Sequence, residues 1–258
     1  MGCFVMRVIT RKSGGTIAAA MAIAALSLIA TSGTAITAAA ASTGRPRPLI
    51  LYVATDHGLT PVNTVTLRAE RTIKLGRGPD QVAITPNGKT VYVTNTGGST
   101  VSPVSTATNR AGKLIKVGPE PDAIAFSPDG KTGYVLSDGL NQSITPFSLA
   151  TNKPGKKIIV DNGGGPLSDV VADPNGKTLF VLDDIDNTVI PVQVPSGTAG
   201  KPIKVPNGAG SMVISPDGQT IYVASQPAGT VTPIVTATNT RLTPIKVGRG
   251  PIGMVFGP

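Results

Sequence analysis

The residue types that carry most protein chemistry are sparse in this chain, and their placement limits what they can do. His57, the single histidine of 258 residues, stands beside Asp56 in "TDHGL". In a cleft such a pair can serve as acid and base, whereas in an exposed loop it is inert. Asp80, Asp122 and Asp169 fall at similar places in "GPDQVAI", "EPDAIAF" and "LSDVVAD". Carboxylates converging from several segments of this kind can hold a cation through oxygen; the competing reading is a turn in which each side chain bonds its own backbone. The densest acidic stretch, "DDIDN", contains Asp183, Asp184 and Asp186. It reads as a solvated hairpin tip, with a calcium loop as the alternative. No cofactor is expected, with Ca2+ the one ion these carboxylates suit.

Other chemistries are excluded by what is missing. Cys3 is the only cysteine, so neither a Cys–His nucleophile nor a multi-histidine zinc site can be built. Serines such as Ser99 and Ser143 lack a G-x-S-x-G setting. The glycine run "NGGGP" lacks the lysine and helix of a phosphate loop.

Residues 1–41 read as an export signal rather than as fold. Arg7, Arg11 and Lys12 precede an apolar Ala-rich stretch, and the small residues 38–41 offer an A-x-A cleavage site. The alternative is a retained anchor, since no charge occurs between Lys12 and Arg45. Residues 42–48 form a short linker, and the mature chain is expected to be secreted or cell-surface, without an integral membrane span. The net charge of +9 stays positive without the leader and favours anionic partners. Nucleic acid is not expected as a partner, because aromatics are few and no recognition motif occurs.

The elements that must position these residues are repeats. "PNGKTVYVTN" from Pro86 returns as "PDGKTGYVLS", "PNGKTLFVLD" and "PDGQTIYVAS", which aligns Tyr52, Tyr92, Tyr134, Phe180 and Tyr222. A period of this length marks a solenoid or a propeller. Within one unit, "QVAIT", "TVYVT", "TVSPV" and "LIKV" are short β-branched runs separated by turn residues. The pattern predicts an all-β, five-bladed β-propeller of four-stranded antiparallel blades over residues 49–258, with units near 49–78, 79–120, 121–165, 166–208 and 209–250. Asn-Gly or Asp-Gly predicts a two-residue hairpin between first and second strands. "TATN" predicts an Asx-type turn after the third. The aromatic column is expected to wedge between blades. Because the first unit starts without an inner strand and the last residues resemble one, residues 251–256 are expected to pair beside residues 49–54 and close the ring.

The combination of "TVYVTN" with "NGK", "TVTPI" with "TATN", and "PIKVG" with "GP" resembles the YVTN family of bacterial β-propeller repeats. That resemblance implies an exported or surface-layer-like propeller, mostly without established chemistry.

An antiparallel meander sends alternate loops to opposite ends. One end is expected to collect the acids above; the other collects Lys89, Lys113, Lys131, Lys156, Lys157 and Lys177 as a basic docking face. The expected function is a non-enzymatic binding platform for a cell-envelope polymer, peptide or protein. The alternatives are a lactonase-type, metal-assisted hydrolase at the channel mouth, with Asp80, Asp122, Asp169, Asp56 and His57 around it, and a self-associating surface-layer component.

Overall fold

A computed structural model describes residues 49–139, 142–160, 166–194, 196–254 and 256. The leader, the linker and most of "NGGGP" lie outside them. The described chain is all-β apart from a three-residue 3-10 turn at Thr96–Gly98. Its strands form successive antiparallel sheets, each running from an inner strand outward in chain order. The second sheet takes Pro79–Ile84, Thr90–Asn95 and Thr100–Ser105. The third takes Pro121–Phe126, Thr132–Ser137, Ser143–Ser148 and Ile158–Ile159. The fourth takes Leu167–Ala172, Thr178–Asp183, Thr188–Gln193 and Ile203–Lys204, and the fifth begins with Ala209–Ile214, Thr220–Ser225 and Thr230–Val235. The first sheet has only Ile50–Thr55, Gly58–Asn63 and Arg68–Ala69. This is a propeller-like array of several four-stranded sheets.

The repeated aromatic has a fixed neighbour. Tyr52, Tyr92, Tyr134, Phe180 and Tyr222 lie opposite Pro61, Pro103, Pro146, Pro191 and Pro233. A proline cannot donate to a ladder. In the second sheet the outer edge is accordingly split: Val104 pairs with Ala111 and Val101 with Ile115, on either side of Pro103.

The core lies between sheets rather than within them. Four apolar clusters occupy the four joints of successive sheets. In one of them Tyr92, Val101, Ile115 and Val117 of the second sheet face Val135 and Phe147 of the third. A single sheet leaves two apolar faces wet, and burying each such side chain is worth about 1.5–3 kcal/mol. Stacking is therefore what makes the repeat stable.

Two repeated motifs meet across these joints. The Tyr52 hydroxyl donates to Asn109 Oδ1 at 2.7 Å, and the Tyr92 hydroxyl donates to Asn152 Oδ1 at 2.8 Å. Each tyrosine reaches the "ATN" turn of the following sheet. Burial raises the Tyr92 phenol to about 12, so it stays a donor at ordinary pH. Asn109 and Asn152 sit at φ 51° and 56°, a left-handed conformation that asparagine tolerates better than most side chains. The aromatic column thus packs between blades as expected and carries a hydrogen bond that the pattern alone did not reveal.

Two expectations are corrected. The "PNGK" turn is not a two-residue hairpin. Thr85 and Thr90 close a loop in which Gly88 N bonds Thr85 O, and only the glycine takes a positive φ. Pro86 fits the second position of a type I turn, and the Thr85 hydroxyl bonds Asn87 Oδ1, which also accepts from Lys89 N. Nor do the chain ends pair among the described residues. Residues 251–254 and 256 belong to no strand, and Ile50–Thr55 pairs with Gly58–Asn63 alone. The tail is instead seated on the fifth sheet, where the rings of Phe256 and Tyr222 meet edge-on at 5.7 Å.

Replacing Tyr92 by Phe removes one joint-spanning bond and is expected to cost about 1 kcal/mol in urea unfolding. Asn152→Ala is expected to cost more than Asn152→Gly, because alanine also pays the left-handed penalty of about 1–2 kcal/mol. Equal losses for the two Asn152 variants would remove the conformational part of this account.

Candidate functional site

The inner strands carry the carboxylates, and their register decides which ones share a site. Pro79, Pro121, Leu167 and Ala209 oppose Asn95, Ser137, Asp183 and Ser225, and each inner strand then shifts register. Asp80 and Asp122 are therefore equivalent. Asp169 is not their counterpart, because it occupies the place of Gln81 and Ala123, one residue further along. That one-residue difference changes its role, since successive side chains of a strand point to opposite faces.

Asp169 is buried. Its Oδ1 accepts from Val170 N at 2.7 Å and its Oδ2 accepts from Met212 N of the fifth sheet at 2.8 Å. Gln81 makes the same reach, its Oε1 accepting from Ile124 N of the third sheet at 2.9 Å. These side chains tie one inner strand to the next, and Gln81 is a positioning residue that sequence reasoning missed. The signal available was its alignment with Asp169 once "PDQ" and "LSD" are matched by their final residue.

Asp122 does line a cleft. With Glu120, Asp138 and Thr96 it borders a cavity of about 300 Å³ between the loops of the second and third sheets. Glu120 stands at φ 50° immediately before the inner strand, and Asp138 ends the hairpin side of the third sheet, where its N–H donates to Glu120 O at 3.0 Å. Asp138 Oδ1 accepts from Leu167 N at 2.8 Å, which anchors the start of the fourth sheet. Burial, and then the charges of Asp184 and Glu120, push the Asp138 carboxyl above the ordinary aspartate range, although the Leu167 N–H opposes the shift. The cleft concentrates negative charge beside a low-dielectric wall, an arrangement that attracts cationic groups.

The remaining candidates lie elsewhere. Asp80 is exposed on the second sheet's inner strand. Asp56 and His57 are exposed at the tip of the first hairpin, where His57 N donates to Thr55 Oγ1 at 3.3 Å; neither lines the cleft. Asp183 is fully buried and its Oδ1 accepts from Asp186 N at 2.8 Å. Asn187 closes the same turn at φ 52°, its Oδ1 accepting from Gly208 N at 2.7 Å. "DDIDN" is thus a self-bonded turn that also pins the loop to the fifth sheet. Among the described residues no group of three or more His, Cys, Asp and Glu is placed to hold a metal ion. Lys89, Lys113, Lys131, Lys156, Lys157 and Lys177 are all exposed. Lys131 lies 3.6 Å from Asp129, an exposed pair that contributes little.

Beside the cleft lies a buried polar column. Asn95 Nδ2 donates to Thr100 Oγ1 at 3.0 Å and to Ser102 Oγ at 2.9 Å. In the third sheet Ser137 and Ser143 stand at the Asn95 and Thr100 positions, under Gly118, where a Cβ would come within 2.7 Å of Ser137 Oγ and 2.9 Å of Ser143 Oγ. A glycine is required at this close approach, which brings the inter-sheet loop down onto the strand ends next to Asp138.

The YNCE-like beta-propeller family model matches residues 6–145. Among solved structures, hydrazine synthase of Kuenenia stuttgartiensis is 26% identical, with a TM-score of 0.63 over 81% of this chain and 68% of that one. A functionally unknown protein from Desulfotomaculum acetoxidans DSM 771 is 18% identical, with a TM-score of 0.66 over 78% and 67%. The beta-propeller domain of Cps50 (Swd1) from Myceliophteria thermophila is 14% identical, with a TM-score of 0.59 over 70% and 58%. The last two share the fold alone. No curated protein sequence matches.

The raised Asp138 carboxyl sets a pH dependence. A carboxyl with a raised folded pKa binds more protons in the folded state, so its contribution is present in acid and lost as pH rises through the folded value. Asp138→Asn keeps an acceptor for Leu167 N and removes the buried charge. It is expected to melt higher than the wild type at neutral pH, with the advantage shrinking as pH falls from the raised folded value towards the ordinary 3.8. A constant difference across that range would refute the charge assignment.

Proposed function

Since the chain belongs to the YNCE-like β-propeller family, we propose that it is a non-enzymatic binding platform, a five-bladed arc that works outside the cytoplasm at the cell envelope. Its ligand site is the cleft of Glu120, Asp122, Asp138 and Thr96, and the ligand class is a cationic group, such as the amine or guanidinium of a peptide or protein. The observation that carries this reading is the gathering of three carboxylates of the third sheet and its entry loop, opposite Thr96 of the second sheet, around one cavity of about 300 Å³. A cation entering there offsets the charges of Asp184 and Glu120, which add to the larger effect of burial on Asp138, and gains Coulomb energy in a half-buried setting. The exposed lysines sit on loops that follow the first or third strands of the second, third and fourth units. In this reading they face an anionic wall polymer and hold the platform near its surface. The hydrolase alternative needs His57 and Asp56 beside the carboxylates, and they do not line the cleft.

Calorimetric titration with a lysine-rich oligopeptide tests the cleft. Binding is expected to weaken as salt rises, and Asp122→Asn with Glu120→Gln is expected to weaken it about tenfold, equivalent to ~1.4 kcal/mol. Binding that persists unchanged in the double variant would show that the peptide docks elsewhere.

A further inference from the structure

Each joint sets the rear of one sheet, the tyrosine side, against the front of the next. At the joint of the third and fourth sheets, Tyr134 lacks the cap seen at Tyr52 and Tyr92, which each donate to the asparagine of the following sheet's turn. The place of Asn109 and Asn152 is taken in the fourth sheet by Gly197. All three have a positive φ, and their N–H groups donate to the carbonyl four residues back, those of Ser105, Ser148 and Gln193. Glycine has no side chain to accept from the Tyr134 hydroxyl.

The turns beside that hydroxyl also stand apart. Between the fourth and fifth sheets the turns touch, and a Cβ on Gly218 would strike Pro174. One joint earlier the equivalent Gly176 has nothing within 4 Å of its Cβ position. A cavity of about 210 Å³ opens there, and Pro128, Asp129, Thr132, Tyr134, Pro174 and Asn175 line it. Tyr134 is only 4% exposed. An uncapped hydroxyl and a gap between turns thus coincide at this joint.

The wall presents three polar groups still open to a ligand. Asp129 Oδ1 accepts from Ser127 Oγ at 2.6 Å and from Lys131 N at 3.0 Å, bonds that hold the carboxyl below the ordinary aspartate range. Its Oδ2 has the exposed Lys131 ammonium at 3.6 Å. Asn175 Oδ1 accepts from Lys177 N at 2.7 Å, which leaves Nδ2 as a donor. Burial, and then the Asp129 charge, push the Tyr134 phenol above its ordinary value, although the Thr132 hydroxyl opposes the shift. The phenol therefore stays protonated at ordinary pH. An ionised Asp129 disfavours an anion, while the exposed Lys131 and Lys177 on the same two turns disfavour a cation.

We propose that this cavity binds one neutral hydroxylated ring, a single sugar unit of a glycan. Each sugar hydroxyl both donates and accepts. Neighbouring hydroxyls of one ring can therefore donate to Asp129 Oδ2 and accept from Asn175 Nδ2 and the Tyr134 hydroxyl, while its C–H faces rest on Pro128 and Pro174. The volume lies below the ~300–1,000 Å³ of drug-sized sites and suits one ring. A peptide strand would need an open sheet edge to pair with, and two turns offer none. This inference is independent of the cationic-ligand reading, because the two cavities share no lining residue.

The test is an amide-resolved NMR titration of the full chain with methyl β-glucoside, N-acetylglucosamine and glycerol. At least one of the two sugars is expected to shift the Asp129, Lys131, Gly176 and Lys177 amides saturably, and glycerol is not. Tyr134→Phe introduces the side chain that Phe180 supplies in the next sheet, and Asn175→Asp the one that Asp129 and Asp217 supply in neighbouring turns. Both variants are expected to fold as the wild type does, since the repeat already uses those residues. Each is expected to weaken sugar binding about fivefold, the loss of one hydrogen bond. Saturable shifts with neither sugar overturn the proposal. Shifts that glycerol reproduces overturn it as well, since the cavity then has no preference for a ring. Shifts confined to other residues, or binding unchanged in both variants, put the sugar elsewhere and also overturn it.

Discussion

A thin antiparallel sheet with two apolar faces cannot stand alone in water, and the rear-to-front joint is the arrangement that relieves this. The three joints after the first bury an isoleucine and a valine from one sheet, Ile115 and Val117, Ile158 and Val160, or Ile203 and Val205, against apolar residues of the next, and the clusters between sheets are the only core the described chain has. The polar features that seem decorative in the repeat serve the same joint. The tyrosine hydroxyl reaches the asparagine of the following turn, while Gln81 and Asp169 hold successive inner strands together through a backbone N–H.

The candidate site is a by-product of that stacking. Inter-sheet loops must descend onto strand ends, and a glycine such as Gly118 permits the approach where a Cβ would strike Ser137. The loop then places Glu120 and Asp122 beside Asp138. The same geometry that anchors Leu167 N to Asp138 keeps that carboxyl half-buried among other acids. Structural and ligand-attracting roles are thus combined in one side chain, which explains why its proton affinity is raised although it has a hydrogen-bond donor.

Repetition also limits what the chain can do chemically. The apolar and aromatic residues copied from unit to unit are joint residues, occupied in packing one sheet on the next. Departures from the copy are where individuality appears: Asp169 for Ala123, Ser137 for Asn95, and "DDIDN" for simpler tips. Two of these three turned inward, as an inter-strand tie and a self-bonded turn.

The sequence by itself determined the all-β character, the strand spacing and the stacking order, because β-branched alternation and turn residues are local signals repeated often enough to average out error. It also placed the tyrosine column between sheets and the lysines on exposed loops. The grouping of Asp169 with Asp80 and Asp122 was a misalignment: counted back from Pro86, Pro128 and Pro174, Asp80 and Asp122 stand six residues before the turn and Asp169 five, which places it with Gln81 and Ala123. The turn at Pro86 was misread because Asn-Gly suits more than one hairpin type, and the Thr85 hydroxyl bonds Asn87 Oδ1 within the longer one. Only the tertiary structure decided which carboxylates meet, that His57 stands apart, and that the tail rests on Tyr222 without reaching Ile50–Thr55. Those outcomes depend on how loops and sheets pack on one another, a property that no short stretch of residues encodes.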